Sequence, residues 1–211
     1  MAFAPSKKNA RIILASLSPR RRFLFKKLGF SFEVDPSDID ESRIPYKTQR
    51  EFALKAALAK AARVAERYKS GLVIGADTIV CLDGNILGKP RDIDEAKAML
   101  LRLRGRCHTV ITGVALVQAG TGCIQMDAEK TDVCFKRFRK TTLENYLATG
   151  DSLDKAGAYG IQGEGECLIH HIEGDYFNVM GLPLDCLFRL LSHYMDISCY
   201  RKRMKTLRRP F

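Results

Sequence analysis

The chain has 211 residues, 46% of them hydrophobic and 28% charged, which is long enough for one sizeable core and excludes a largely disordered or low-complexity protein. The formal net charge is +11, yet residues 1–30 carry eight Lys/Arg and residues 200–211 carry six, with no acid in either stretch. The long segment between them is therefore net acidic. This end-loaded charge argues for one anion site and one basic tail, and against an evenly basic nucleic-acid binder.

The seven cysteines, Cys81, Cys107, Cys123, Cys134, Cys167, Cys186 and Cys199, are odd in number and never spaced CxxC. That pattern disfavours a metal finger or a disulfide framework and predicts reduced thiols in a cytoplasmic protein. The N-terminus lacks the apolar region of a signal peptide. The uncharged stretch 109–126 is broken by Gly113, Gly120 and Gly122, so a membrane span is not expected.

The first predicted strand, around Ile12–Leu14, breaks at Ser16 and Ser18, and Pro19 suits the first position of a helix. Arg20, Arg21 and Arg22 follow at once. Acidic residues normally occupy a helix N-terminus, where free N–H groups and the dipole are positive; three cations there are costly unless an anion joins them. A short helix to Leu28 ends at Gly29, and a strand over 30–34 leads into the acidic loop 35–41, which ends at Glu41. That loop reads as solvated, although Mg²⁺ or Mn²⁺ could use one or two of its carboxylates together with phosphate oxygens.

Residues 49–68, rich in Ala, Leu, Lys and Arg without Gly or Pro, predict the clearest helix, which carries Lys60. Residues 71–82 then form an apolar run with one charge, Asp77. A strand buried on both faces is implied, so this carboxylate needs a metal, a lysine or a ligand hydroxyl as partner. The stretch 84–90 resembles a P-loop but is one residue short in its glycine spacing, and Pro90 stands where a hydroxyl would hold Mg²⁺. Lys89 can still meet a phosphate as a point charge.

A helix over 92–104 opens on the capping pair Asp92/Glu95. Strands are predicted over 109–118, 123–127 and 131–138, and a further helix capped by Thr141 with Glu144 closes at Gly150. The glycine-rich loop 151–165 contains Gln162, whose amide could read a base edge. His170 and His171 are adjacent in a strand over 167–172 and so point to opposite faces. A final helix over 184–194 precedes a basic, loose tail from Tyr200 to Phe211.

The strings SLSPRR at 16–21, GADT at 75–78, GKP at 88–90 and DKAGAYGIQG at 154–163 occur together and in this order. In these the chain resembles the Maf (septum-formation inhibitor) family of nucleoside triphosphate pyrophosphatases. The resemblance implies an α/β fold like that of the inosine triphosphatases, with a mixed, elongated sheet flanked by helices and two lobes around a deep cleft. It divides the chain into a leader (1–10), one catalytic domain (11–196) and a basic tail (197–211).

It also implies hydrolysis of a nucleoside triphosphate to the monophosphate and pyrophosphate with a divalent cation, Mg²⁺ or Mn²⁺. The loop 154–163 looks like that of the dTTP/UTP branch, with a 7-methyl-GTP or other non-standard nucleotide pyrophosphatase as the alternative. By position, Asp77 is implied as catalytic carboxylate and metal ligand, and Glu41 as a second metal ligand. Arg20, Thr78 and Gln162 match specificity positions, and Ser16, Arg21, Lys60 and Lys89 match phosphate-binding ones. A homodimer is left open. A regulatory nucleic-acid-binding role in septation is the rival reading, disfavoured because the cations do not interleave with aromatics along one element and no nucleic-acid motif is present.

Overall fold

The computed structural model describes residues 11–207; the leader and the last four residues of the tail lie outside the described residues. Strand β1 (Ile12–Leu14) is fully buried and enters helix α1 (Pro19–Leu28) through the Ser16–Ser18 turn. Ser18 caps α1 and Gly29 ends it in the left-handed conformation. Then follow β2 (Phe32–Val34), a single helical turn at Glu41–Arg43, α2 (Gln49–Ala65), β3 (Gly71–Leu82), β4 (Asn85–Leu87) and α3 (Ile93–Leu103). The second half of the chain forms β5 (Cys107–Ala119), β6 (Ile124–Phe135), α4 (Lys140–Ala148), β7 (Ile169–Glu173), α5 (Tyr176–Met180), α6 (Leu184–Leu191) and α7 (Ser198–Thr206).

The seven strands make one mixed sheet in the order β2-β1-β3-β5-β6-β7, with β4 paired to β3. β1 is parallel to both β2 and β3, and the remaining pairs are antiparallel. Helix α2 covers one face alone. It sits so close that a Cβ at Gly75 would meet the Ala57 carbonyl and one at Gly113 the Ala53 carbonyl, so only glycine permits the contact. The opposite face holds the main core, where Leu14, Ile74, Val114 and Leu116 meet Phe25, Leu187 and Phe188.

Four local expectations are corrected. Residues 124–135 are one continuous strand, because long antiparallel pairing with β5 carries it through the polar middle. Thr141 lies inside α4, which begins at Lys140 and has no side-chain cap. Cys107 and Cys134 face each other across β5 and β6 and are disulfide-bonded, so not all the thiols are reduced. Residues 198–206 are helical rather than loose, because Tyr200, Met204 and Leu207 supply an apolar stripe that packs on the core.

Candidate active site

Side-chain alternation along β3 sets the geometry. Gly75 faces α2, so Asp77, two residues on, faces the same way and meets Lys60 on that helix. The Lys60 Nζ is 2.6 Å from Asp77 Oδ1 and 2.7 Å from Glu41 Oε1. Asp77 is only 6% exposed. Its second oxygen, Oδ2, is buried without a hydrogen-bond partner among the described residues. One lysine thus bridges two carboxylates, the three side chains coming from three separate segments, and leaves one carboxylate oxygen unmatched, a costly arrangement for a purely structural pair.

Thr78 points to the opposite face. Its hydroxyl is 3.0 Å from that of Thr112, directly across in register on β5, and accepts from the Arg21 guanidinium at 3.0 Å. Arg21 also donates to Ser16 Oγ at 3.0 Å and to the Gly181 carbonyl at 2.8 Å. Burial lowers the Arg21 pKa, and Arg20 adds to this, while Asp77 and Glu41 oppose it. Arg21 therefore ties the α1 entry, β3 and the turn after α5 together, with most of its donors already used.

Ser16, Arg20, Arg21, Glu41, Lys60, Asp77, Thr78 and Lys89 all line one cleft of about 740 Å³. Gly160 and Ile161 line it too, whereas Gln162 does not. His170 and His171 lie outside the cleft. Their ring nitrogens are 2.9 Å apart, contrary to the opposite-face expectation, and both residues are exposed.

Two cleft residues received no role from the sequence. Lys155, 7% exposed, donates to Asp151 Oδ1 and Asp154 Oδ1, each at 2.6 Å, and fixes the glycine-rich loop. Burial raises the Asp154 pKa, but the Lys155 hydrogen bond and the charges of Lys155, Arg20 and Lys89 outweigh it and hold the carboxyl below its ordinary range. The only signal in the sequence was a lysine within four residues of two aspartates. The Gly157 N–H donates to the Gly88 carbonyl at 3.0 Å and so joins this loop to the one carrying Lys89.

Among the described residues no three His, Cys, Asp or Glu side chains converge to hold a metal. Asp77, with its unmatched oxygen, and Glu41 supply a two-carboxylate set instead. That set fits a hard divalent cation that takes its remaining ligands from phosphate and water.

These features define an α/β protein with a basic, anion-binding cleft built around a buried acid–lysine pair. Residues 11–194 match the family described as Maf-like protein, and the chain belongs to that family. It is 49% identical over 183 residues to the dTTP/UTP pyrophosphatase of Moorella thermoacetica, covering 87% of this chain and 94% of that protein. It is 43% identical over 189 residues to the dTTP/UTP pyrophosphatase of Clostridioides difficile, covering 90% and 97%. Among solved structures, the Staphylococcus aureus Ham1 protein is similar with a TM-score of 0.49 and 13% identity, covering 93% of this chain and all of that one.

Proposed function

We propose that the protein is a nucleoside triphosphate pyrophosphatase that hydrolyses dTTP and UTP to the nucleoside monophosphate and pyrophosphate. The observation that carries this reading is the unmatched, buried Oδ2 of Asp77 on the wall of a cleft lined by Arg20, Lys60 and Lys89. The names of the relatives support the substrate.

In this reading Arg20 and Lys89 neutralise the phosphate oxygens from the cleft mouth, and Arg21 keeps the Ser16 turn and Thr78 in place behind them. Lys60 holds Asp77 and Glu41 at a fixed separation. Both carboxylates would hold a Mg²⁺ or Mn²⁺ ion, which when bound neutralises phosphate charge and lowers the pKa of water. The water oxygen bonds to the α-phosphorus, the bond from that phosphorus to the α–β bridging oxygen breaks, and pyrophosphate leaves. Asp77 takes the proton the water gives up.

Asp77→Asn is expected to lower kcat by about 10²–10⁴-fold with the fold retained, since Lys60 keeps Glu41. Pyrophosphate release measured beside a thermal melt checks this; full turnover in the variant would remove Asp77 from the reaction.

A further inference from the structure

Helix α7 lies beyond residue 194, where the family match ends, and it is nevertheless built into the fold. The Tyr200 ring stacks on Phe30 at 4.0 Å with 10° between planes. Arg203 donates to the Leu28 carbonyl at 2.9 Å, on the last residue of α1. The two helices therefore form one continuous ridge. Neither contains an acidic residue.

The inward face of α7 is apolar; its outward face shows Arg201, Lys202 and Lys205 to solvent. The outward face of α1 adds Lys26, Lys27 and Phe23, the last 45% exposed. None of these five cations forms an ion pair among the described residues, although the exposed Arg11, Arg50, Arg63, Arg67 and Arg106 do. Unbalanced charge gathered on two packed helices raises the folded-state energy through self-repulsion, and an anionic partner would relieve it.

The arrangement of the aromatic ring narrows the partner. The Lys27 Nζ stands 5.5 Å from the centre of the Phe23 ring. Arg20, Phe23 and Lys27 follow at i, i+3 and i+7 on one side of α1, and Arg20 lines the cleft. Cation, aromatic and cation thus run in a line of roughly 10 Å along α1, starting at the cleft. Such interleaving is hidden in the sequence and becomes visible only when the buried Leu24 and Phe25 are separated from the exposed Phe23.

We infer that the α1–α7 ridge binds single-stranded nucleic acid, with phosphates on its lysines and arginines and a base stacked on Phe23. A single strand repeats charge and planar face in the same alternation, and stacking tolerates any base. A duplex hides its base faces, leaving Phe23 nothing to stack on. An anionic bilayer would draw on apolar side chains at the surface, and those of α7 are turned into the core.

The test is fluorescence anisotropy of fluorescein-labelled dT20 and U20 with the full chain between 50 and 300 mM salt. Both oligonucleotides are expected to bind, with log K falling against log salt by about 0.7 per phosphate contacted. The fourfold variant K26E/K27E/R201E/K202E is expected to weaken binding at least tenfold and to flatten that slope. Phe23→Ala is expected to weaken binding about tenfold with the slope unchanged. Both variants should melt cooperatively and hydrolyse dTTP at the parent rate, since none of these residues lies in the catalytic cleft; this separates failure of the ridge from failure of the proposed reaction. Absence of saturable binding at 50 mM salt, equal affinity for a 20-base-pair duplex, equal binding by the variants, or sedimentation with phosphatidylserine vesicles without oligonucleotide binding would each overturn the inference.

Discussion

Replacing Lys60 by methionine removes the ammonium group that lies 2.6 Å from Asp77 and 2.7 Å from Glu41 while keeping most of the side chain's volume. Glu41 is 44% exposed in its side chain and can turn to water, so its loss of a partner costs little. Asp77 cannot. Its Oδ1 loses its side-chain partner and its Oδ2 has none, which leaves a buried carboxylate without a hydrogen-bond partner among the described residues. Breaking a buried pair in this way costs about 3–5 kcal/mol, a shift of roughly 6–20 °C in Tm for a chain of this size.

The double variant Lys60→Met/Asp77→Asn no longer buries a charge and should recover a large part of that loss. Urea denaturation of the four proteins of the cycle measures the coupling directly. A cost below about 1 kcal/mol for Lys60→Met, or a double variant no more stable than that single one, would refute the burial argument. The same single variant should lose about 10²-fold or more in kcat/KM for dTTP, because a fixed charge beside the reacting phosphate is gone.

Two further outcomes are expected. His108 is 4% exposed, its Nε2 is 2.6 Å from the Tyr159 hydroxyl, and burial lowers its pKa from 6.5 to about 4, opposed weakly by Asp132. The unfolded chain therefore takes up a proton that the folded one refuses. This contribution is complete above pH 6.5 and falls by about 3 kcal/mol as pH drops to 4; in His108→Gln the corresponding slope should vanish, and an unchanged difference between pH 7 and 4.5 would refute it. Gln162→Ala should narrow the preference for dTTP and UTP over purine triphosphates by roughly three- to tenfold, the worth of one neutral hydrogen bond. An unchanged substrate ranking would show that Gln162 takes no part in base selection.

The cleft was largely legible because its residues are chemical exceptions to their local patterns. Asp77 breaks an apolar run, three arginines occupy a helix N-terminus, and Lys89 follows a glycine turn. Asp77, Lys89 and two of the three arginines, Arg20 and Arg21, line the same cleft. Asp77 was visible from its apolar run and Lys60 only through the family resemblance; their pairing depends on α2 lying flat on Gly75 and Gly113, and a contact between distant segments leaves no local periodicity to read. Arg21 shows the converse: read as a phosphate ligand, it spends donors on Ser16, Thr78 and Gly181.

The start of α2 and both ends of β3 follow from composition, and β3 runs over the residues expected, 71–82, whereas α2 ends at Ala65, short of the expected Tyr68. The split of β6 and the loose tail were misread for one reason. A polar stretch such as Asp127–Lys130 or Arg201–Lys205 looks like loop until a partner, here β5 or α1, is known to hold it.

In the proposed reaction water attacks the α-phosphorus and displaces pyrophosphate. Phosphorus NMR of dTTP turned over by the full chain with Mg²⁺ in heavy-oxygen water measures this. dTMP and pyrophosphate are expected in equal amounts from the first turnovers, with the isotope shift on the dTMP phosphorus; the shift on pyrophosphate instead, or dTDP and inorganic phosphate as the initial products, would contradict it.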